Sequence, residues 1–280
     1  MASFFVVVIA ITWGFSYVYQ NPLILYIGVL FSVGMNIWGY WYSDKLVIKM
    51  SGAQPITREQ YFDLWNAVEN LSITAGLPMP KTYIIHEESP NAFATGRDKE
   101  HSAIAVTTGL LVVLNKNELE GVIAHELSHI GNRDTLLATV VVVLVGFIAI
   151  MSDIALRTSH LGGGNDRDNR FGAILIVAGF VLAILAPIIA QLIHLAISRN
   201  REFLADASCA LLTRYPDGLA SALEKISAYP HGLARKNTAM AHLYIANPLK
   251  NGRGASFMSK IFSTHPPVQE RIVALRGLEK

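Results

Sequence analysis

The chain of 280 residues is long enough for one sizeable domain with appendages, but 52% hydrophobic and 16% charged residues are unlike the composition of an ordinary soluble domain. A formal net charge of +2, with no basic stretch interleaved with aromatic residues, leads us to exclude nucleic acid as a partner. Cys209 is the single cysteine, so the chain forms no intramolecular disulfide and needs no oxidising compartment.

Four apolar stretches interrupt the chain, and they are candidates for membrane spans. They are Ser3–Tyr19, Leu23–Tyr42, Thr135–Met151 and Ala173–Ile197. Any one of them could be a buried core helix, but four in one chain, with aromatic residues at their ends, favour a multi-pass protein in the lipid bilayer. The first could also be a signal peptide. Since no Lys or Arg precedes its apolar core and a second stretch follows at once, we interpret it as a retained anchor.

Positively charged residues near the predicted spans indicate the orientation of the chain. More of them flank the polar segments than lie in the loop between the third and fourth spans. Those that flank the polar segments are Lys45, Lys49, Arg133, Arg199 and Arg201, and those in the loop are Arg157, Arg167 and Arg170. We therefore expect the polar segments and both termini to lie in the cytoplasm, at the cytoplasmic membrane.

The predicted spans divide the chain into four parts. These are a two-span hairpin (residues 1–43), a polar segment (44–134), a second hairpin (135–197) with an external loop (152–171), and a second polar segment (198–280). We expect the two polar segments to form one split domain.

Helix and strand signals alternate in the first polar segment. Thr57 and Gln60 have the spacing of a capping box that opens an amphipathic helix, which should end near Gly76. Strand composition follows at residues 82–86 and 103–107.

A second helix is predicted over residues 117–130. Asn115 and Glu118 have the spacing of its capping box. Together these elements predict a fold that is mainly α-helical with a small β-sheet.

The second helix contains the sequence HELSH at residues 125–129. His125 and His129 are four residues apart, so they share a helix face and can bind one tetrahedral zinc ion from the same side. Glu126 lies beside that metal position, where it can accept a proton from activated water and pass it to the leaving amine. Two histidines can also meet by chance on a polar helix face, but these lie on a well-defined helix directly before a span. The pattern predicts a zinc site with a catalytic base.

A third protein ligand is needed, because catalytic zinc sites of this kind usually take three and keep one position for water. The candidates are Glu202 and Asp206, four residues apart on a predicted helix after the fourth span. An exposed acidic helix face would show the same spacing. At about 1.5 Å per helical residue, His129 lies about 9 Å and Glu202 about 8 Å from the end of the nearest span, so both emerge at similar heights above the bilayer. We therefore predict Glu202 as the third ligand.

Four motifs in the same order resemble the HtpX membrane metalloproteases, over nearly the whole chain. They are HELSH followed by GNRD (131–134), SRNREFLADAS (198–208), NAFATG (91–96) and THPP (264–267). The resemblance implies a zincin-like domain on about four transmembrane helices, with one zinc ion per chain. It also implies a quality-control protease of the cytoplasmic membrane, whose substrates are misfolded or damaged membrane proteins.

The resemblance implies roles for further residues. Asp206 and Asn132 are expected to hold the metal ligands in orientation. The run that begins at Asn91 implies a strand lining the substrate cleft, where Asn91, Ala92 and Phe93 contact an extended peptide.

His265 has two interpretations. Because it precedes Pro266 and Pro267, it can cap the last helix. By similarity to related zinc peptidases, it can instead act as a catalytic residue that hydrogen-bonds the oxyanion. Both interpretations stay open at this point.

Two other functions are compatible with parts of the sequence. One is a processing protease with a single substrate, such as a lipidated carboxy terminus; the family resemblance favours broad quality control. The other is a membrane scaffold or chaperone with structural zinc. Glu126 argues against this second alternative, because a structural site usually fills all four positions and needs no base.

Overall fold

The computed structural model describes residues 20–136, 199–229 and 266–278, together with residues 9, 12–14, 16–17, 138–139 and 245. The chain forms two compact units, one of Met1–Ser43 and Val143–Leu192, the other of Asp44–Val142 and Ile193–Lys280. The predicted division into two membrane hairpins and a split polar domain stays a prediction.

Helix α1 (Leu23–Ser51) begins where the second apolar stretch begins. Its start is capped by Asn21, whose Oδ1 accepts a hydrogen bond from the backbone N–H of Leu23 at 3.0 Å. The helix continues beyond Tyr42, where the predicted span ends. None of the helices that the structure describes combines the length and the apolar character needed to cross a membrane. The other three predicted spans lie wholly or mostly outside the described residues.

The second unit contains a four-stranded sheet with the strand order β1-β2-β4-β3. The strands are β1 (Gln54–Pro55), β2 (Lys81–Ile85), β3 (Ala92–Gly96) and β4 (Ser102–Thr107). β2 runs parallel to β4, whereas β1 and β3 run antiparallel to their neighbours. The two strands predicted from composition are therefore confirmed as β2 and β4, to within one residue at each end.

Six further helices lie in the described part of this unit. They are α2 (Phe62–Ala75), α3 (Thr108–Val113), α4 (Lys116–Gly131), α5 (Arg199–Thr213), α6 (Pro216–Ala228) and α7 (Val268–Gly277). α4 is central, because it packs against α2, α5, α6 and β3. The predicted fold class, mainly helical with a small sheet, is confirmed at this level.

Helix α2 begins later than the capping pattern predicts. Gln60 Oε1 does accept a hydrogen bond from the backbone N–H of Thr57 at 3.3 Å, but residues 58–60 form a separate turn. The helix therefore begins at Phe62. Its predicted end is confirmed: Gly76 adopts the left-handed conformation with φ of 64° and closes the last turn.

The two faces of the sheet pack into different cores. The face toward α4 contributes to the larger core the side chains of Ala92, Ala94, Ile104 and Val106. The opposite face packs into a smaller core that contains Val47, Ile85, Phe93 and Ala105. Successive side chains of a strand point to opposite faces, so the Phe93 side chain points away from α4.

The outer edge of β3 is hydrogen-bonded to other parts of the same unit. Ile245, which is buried, donates its backbone N–H to the carbonyl oxygen of Ala92 at 3.2 Å. Gly96 donates its backbone N–H to the Thr139 hydroxyl at 3.3 Å. Both ends of the edge strand are thus bonded to the chain itself.

Helix α4 has the predicted capping box. Asn115 Oδ1 accepts from the Glu118 N–H at 3.0 Å, and Glu118 Oε2 accepts from the Asn115 N–H at 2.8 Å. The helix predicted over 117–130 is confirmed and is one residue longer at each end. It approaches α6 so closely that a Cβ atom on Gly121 would lie 2.7 Å from the backbone nitrogen of Leu219. This close packing fixes the helix that carries the two histidines.

Candidate active site

His125 and His129 lie on one face of α4. Their Nε2 atoms are 3.2 Å apart, and their ring planes are nearly perpendicular at 87°. His125 is buried, and the side chain of His129 is 15% exposed. The four-residue spacing brings one nitrogen of each ring to the same point, as the sequence predicts.

Glu202, in the first turn of α5, completes this group. Its Oε1 lies 3.5 Å from His129 Nε2, and its Oε2 lies 3.8 Å from His125 Nε2. A tetrahedral ion with ligand bonds of about 2.0–2.2 Å separates its ligand atoms by about 3.3–3.6 Å. The separations of 3.2 Å between the two Nε2 atoms and 3.5 Å between His129 Nε2 and Glu202 Oε1 are close to that range. One ligand atom from each of the three residues lies within 4.8 Å of the others, so the three residues can hold one metal ion.

Carboxylates orient both imidazole rings. Asp206 Oδ1 lies 3.0 Å from His125 Nδ1, and Asp134 Oδ2 lies 3.1 Å from His129 Nδ1. An ionised carboxylate only accepts hydrogen bonds, so each Nδ1 carries the hydrogen. In the neutral form of each ring, Nε2 then keeps its lone pair for the common point.

Burial and charge move the pKa values of the two histidines in opposite directions. Burial, assisted by the nearby Arg271 guanidinium, lowers the pKa of His125 to about 4. Burial also disfavours the charged form of His129, but the hydrogen bond to Asp134 and the charge of Glu202 outweigh it and raise the pKa of His129 to about 9. The surroundings of His129 therefore favour positive charge at this point.

Among the described side chains around the two histidines, negative charges outnumber positive charges. Four buried carboxylates meet there, those of Glu126, Asp134, Glu202 and Asp206. The guanidinium groups that pair with them are those of Arg201 and Arg271. Counted over these described side chains alone, and with neutral histidines, the formal charge is −2, which is costly to bury and which a divalent cation would neutralise.

Arg271, on α7, was not predicted as a site residue. It is fully buried, and its Nε and Nη2 donate to Asp206 Oδ2 and Oδ1 at 2.8 and 2.6 Å. The sequence contained one signal for it: Arg271 occupies the same helix stripe as the apolar residues Val268, Ile272 and Leu275. An arginine inside an apolar stripe is rarely buried unless it is paired.

Glu126 is buried on α4, one residue after the first histidine. Its charge interacts with those of His129 and Arg271, so it lies within electrostatic reach of the metal-binding group. The role of Glu126 as the general base stays a prediction. Its position near the metal-binding group agrees with that role.

Asp134 makes the contact that was expected of Asn132. Asn132 is exposed at the C-cap of α4. Arg133 follows in the left-handed region, with a positive φ of 62°. Asp134, the next residue, contacts His129 and pairs with Arg201.

The residues expected to contact substrate lie at the start of β3. Asn91 is buried, and its backbone N–H donates to the Thr107 hydroxyl at 2.8 Å. Ala92 lies on the face toward α4, whereas Phe93 lies on the opposite face. Their contact with a peptide stays a prediction. His265 lies outside the described residues.

Comparison with known proteins gives consistent results. The profile of peptidase family M48 matches residues 60–279. The protease HtpX homolog of Tropheryma whipplei (strain Twist) is 48% identical over 250 residues, covering 89% of this chain and 84% of the relative. The protease HtpX homolog of Dictyoglomus turgidum is 49% identical over 254 residues, covering 91% and 81%. Among solved structures, S. mikatae Ste24p has a similar fold, with a TM-score of 0.51 and 16% identity over 98% of this chain and 67% of that one.

Proposed function

Because the chain belongs to peptidase family M48 and is a metalloendopeptidase of the HtpX type, we propose that it hydrolyses peptide bonds with one zinc ion held by His125, His129 and Glu202. The observation that carries the proposal is that these residues offer ligand atoms within 4.8 Å of one another. Zinc suits the set because it accepts nitrogen and carboxylate oxygen ligands in tetrahedral geometry, and catalytic sites commonly use three such protein ligands.

The residues around the ligands perform the proton chemistry. When bound, zinc supplies a Lewis acid that polarises a carbonyl group and makes water more acidic. Glu126 accepts the proton of the attacking water on its carboxylate and delivers it to the leaving amine. Asp206 and Asp134 keep a hydrogen on Nδ1 of the two histidines, so that both Nε2 lone pairs remain available for the metal.

His265 is proposed as a further catalytic residue. It precedes α7, whose N-cap residue is Pro267. Similarity to related zinc peptidases supports the catalytic interpretation. A histidine at the cleft would donate a hydrogen bond to the oxyanion that develops during attack.

The proposed setting is the cytoplasmic membrane, with the catalytic domain on the cytoplasmic side. The four apolar stretches, the 52% hydrophobic composition and the bias of positive residues support it. The proposed substrates are misfolded or damaged membrane proteins. Polypeptide substrates agree with the edge position of β3. An extended peptide that displaces Ile245 from Ala92 could add to this edge strand, along Asn91, Ala92 and Phe93.

The test uses the full chain, purified in detergent and supplied with zinc. Glu126→Gln should keep its zinc but hydrolyse an unfolded polypeptide about 10²–10⁴-fold more slowly, because the base is lost and no ligand is removed. The matched control is Glu120→Gln, the same substitution on the same helix, where Glu120 lies 4.0 Å from Lys116. This control should keep both zinc and activity.

Two results would contradict the proposal. Hydrolysis by Glu126→Gln at the wild-type rate would remove the assigned base. Wild-type protein that retains zinc but never hydrolyses a polypeptide would favour the scaffold with structural zinc.

A further inference from the structure

Arg271 places a fully buried positive charge on the face of α7 that packs against α5 and α6. A buried guanidinium is unfavourable unless it is paired, and a well-packed apolar side chain usually serves stability as well. Two of its nitrogens are accounted for by Asp206, which accepts from Nε and Nη2. Stability alone therefore does not explain an arginine at this position.

The third nitrogen, Nη1, faces Glu202. It lies 3.5 Å from Oε2 of that residue, which is just beyond a good hydrogen bond. Among the described residues it has no hydrogen-bond partner, although it is buried. A buried donor without an acceptor is unfavourable, so a small approach of the carboxylate toward Nη1 would be stabilising.

The two oxygens of Glu202 face different groups. Oε1 is directed toward His129, at 3.5 Å from Nε2. Oε2 is closer to Arg271 Nη1, at 3.5 Å, than to His125 Nε2, at 3.8 Å. A carboxylate that binds a metal through one oxygen leaves the other free to accept a hydrogen bond.

We propose that Arg271 is a positioning residue for the third ligand: its Nη1 holds Oε2 of Glu202 while Oε1 binds the metal. The inference rests on the proposed zinc site. Each ligand then has a buried group that orients it, because Asp206 holds His125, Asp134 holds His129, and Arg271 holds Glu202. Through Asp206, Arg271 also acts on His125, so α7 controls the orientation of two of the three ligands.

The experiment uses the full chain in detergent, with Zn²⁺ or Co²⁺ as the only added ligand. Arg271→Gln and Arg271→Lys are compared with Arg276→Gln, a control on an exposed position of the same helix. Three quantities are measured: metal affinity by competition with a chelator, kcat and KM on an unfolded polypeptide, and the absorption spectrum of bound Co²⁺.

Arg271→Gln should weaken metal binding by about 10–100-fold, as the loss of a group that orients a ligand typically does. It should lower kcat with little change in KM, and it should alter the Co²⁺ spectrum, because Glu202 is no longer held as a one-oxygen ligand. Arg271→Lys keeps the charge, but one ammonium group cannot serve both carboxylates. Its values should lie between those of the wild type and the Gln variant, and the control should match the wild type.

A purely structural role predicts a different pattern. The variants would then be less stable without metal, but their folded fraction would show wild-type metal affinity, kcat and Co²⁺ spectrum, which overturns the inference. If Arg271→Gln does not fold, the inference is equally overturned when Arg271→Lys shows the metal affinity, kcat and Co²⁺ spectrum of the wild type. If the wild-type protein binds metal and hydrolyses polypeptide, and both variants match it, only the positioning role of Arg271 is refuted. Wild-type protein that does neither refutes the proposed function and, with it, this inference.

Discussion

Helix α7 carries two arginines in opposite surroundings. Arg276 has a side chain that is 43% exposed, and it donates to Asp217 at 2.9 Å and to Glu224 at 2.7 and 3.0 Å. Arg271 is fully buried and donates two hydrogen bonds to Asp206. Its Nη2 also lies 3.4 Å from both ring nitrogens of His125. The two arginines thus form similar numbers of polar contacts, one at the surface and the other beside the proposed metal site.

The comparison shows that the number of hydrogen bonds does not measure the importance of a charged pair. At the surface, water solvates both partners and salt screens their attraction, so the pair contributes little to stability. In the interior, breaking the pair leaves a charge without solvent, yet replacing both partners with apolar residues is often neutral. Stability alone therefore does not account for the buried pair of Arg271 and Asp206, and the proposed metal site beside it offers a functional reason.

The carboxylates of the buried network should show the largest effects. Glu202→Ala removes a proposed ligand, so the purified protein should lose most of its zinc. Asp206→Ala removes the group that orients His125, and should weaken zinc binding by about 10–100-fold. It also leaves Arg271 buried without a counter-charge, which should lower the free energy of unfolding by about 3–5 kcal/mol.

Metal analysis and thermal unfolding of the purified variants measure these two effects. Asp217→Ala is the matched control, because it removes a carboxylate from the exposed arginine of the same helix. It should keep its zinc and its stability. If Asp206→Ala lost the zinc while Glu202→Ala retained it, the two roles would have to be exchanged.

A smaller effect is expected at Asp134, whose partner Arg201 has a side chain that is 42% exposed. Asp134→Asn keeps the size of the side chain but loses the charge that holds the Nδ1 hydrogen of His129. Zinc affinity, measured by chelator competition, should fall by about tenfold. Asn132→Ala, at the neighbouring exposed C-cap, should leave the zinc affinity unchanged. The opposite result would assign the orienting role to Asn132, as the sequence predicts, and not to Asp134.

The smallest effect is expected at Arg276. Arg276→Ala should not change zinc content or the rate of hydrolysis, and its unfolding midpoint should stay within experimental error of the wild type. Scans at low and high salt provide the check, since any small loss should disappear when salt screens the surface charges. If Arg276→Ala lowered the free energy of unfolding as much as Asp206→Ala, the contrast between the two arginines would be wrong.

Local sequence patterns were sufficient for the parts of the site that lie on one helix. The capping box predicted α4, and the four-residue spacing placed His125 and His129 together, because both rules depend only on helix geometry. Glu202 was placed beside them by assuming that two helices leave the membrane at similar heights. Its position agrees with that prediction, although the membrane itself remains part of the proposal.

The remaining parts depend on contacts that no local pattern contains. Arg271 lies 65 residues from Asp206 along the chain and meets it only after α7 has packed. Asp134 contacts His129 after Arg133, whose left-handed conformation the sequence did not indicate. The predicted start of α2 was wrong for a related reason: the same capping hydrogen bond also closes an isolated turn.

If a substrate peptide adds to the edge of β3, as we propose, it must compete with the hydrogen bond from Ile245 to Ala92. A partner tethered in the same chain acts at a high effective concentration. On this proposal, a short peptide would offer few bonds and would be displaced. A long unfolded segment would gain more contacts along the strand and could replace the internal partner. Substrates would then be sorted by how much extended backbone they present.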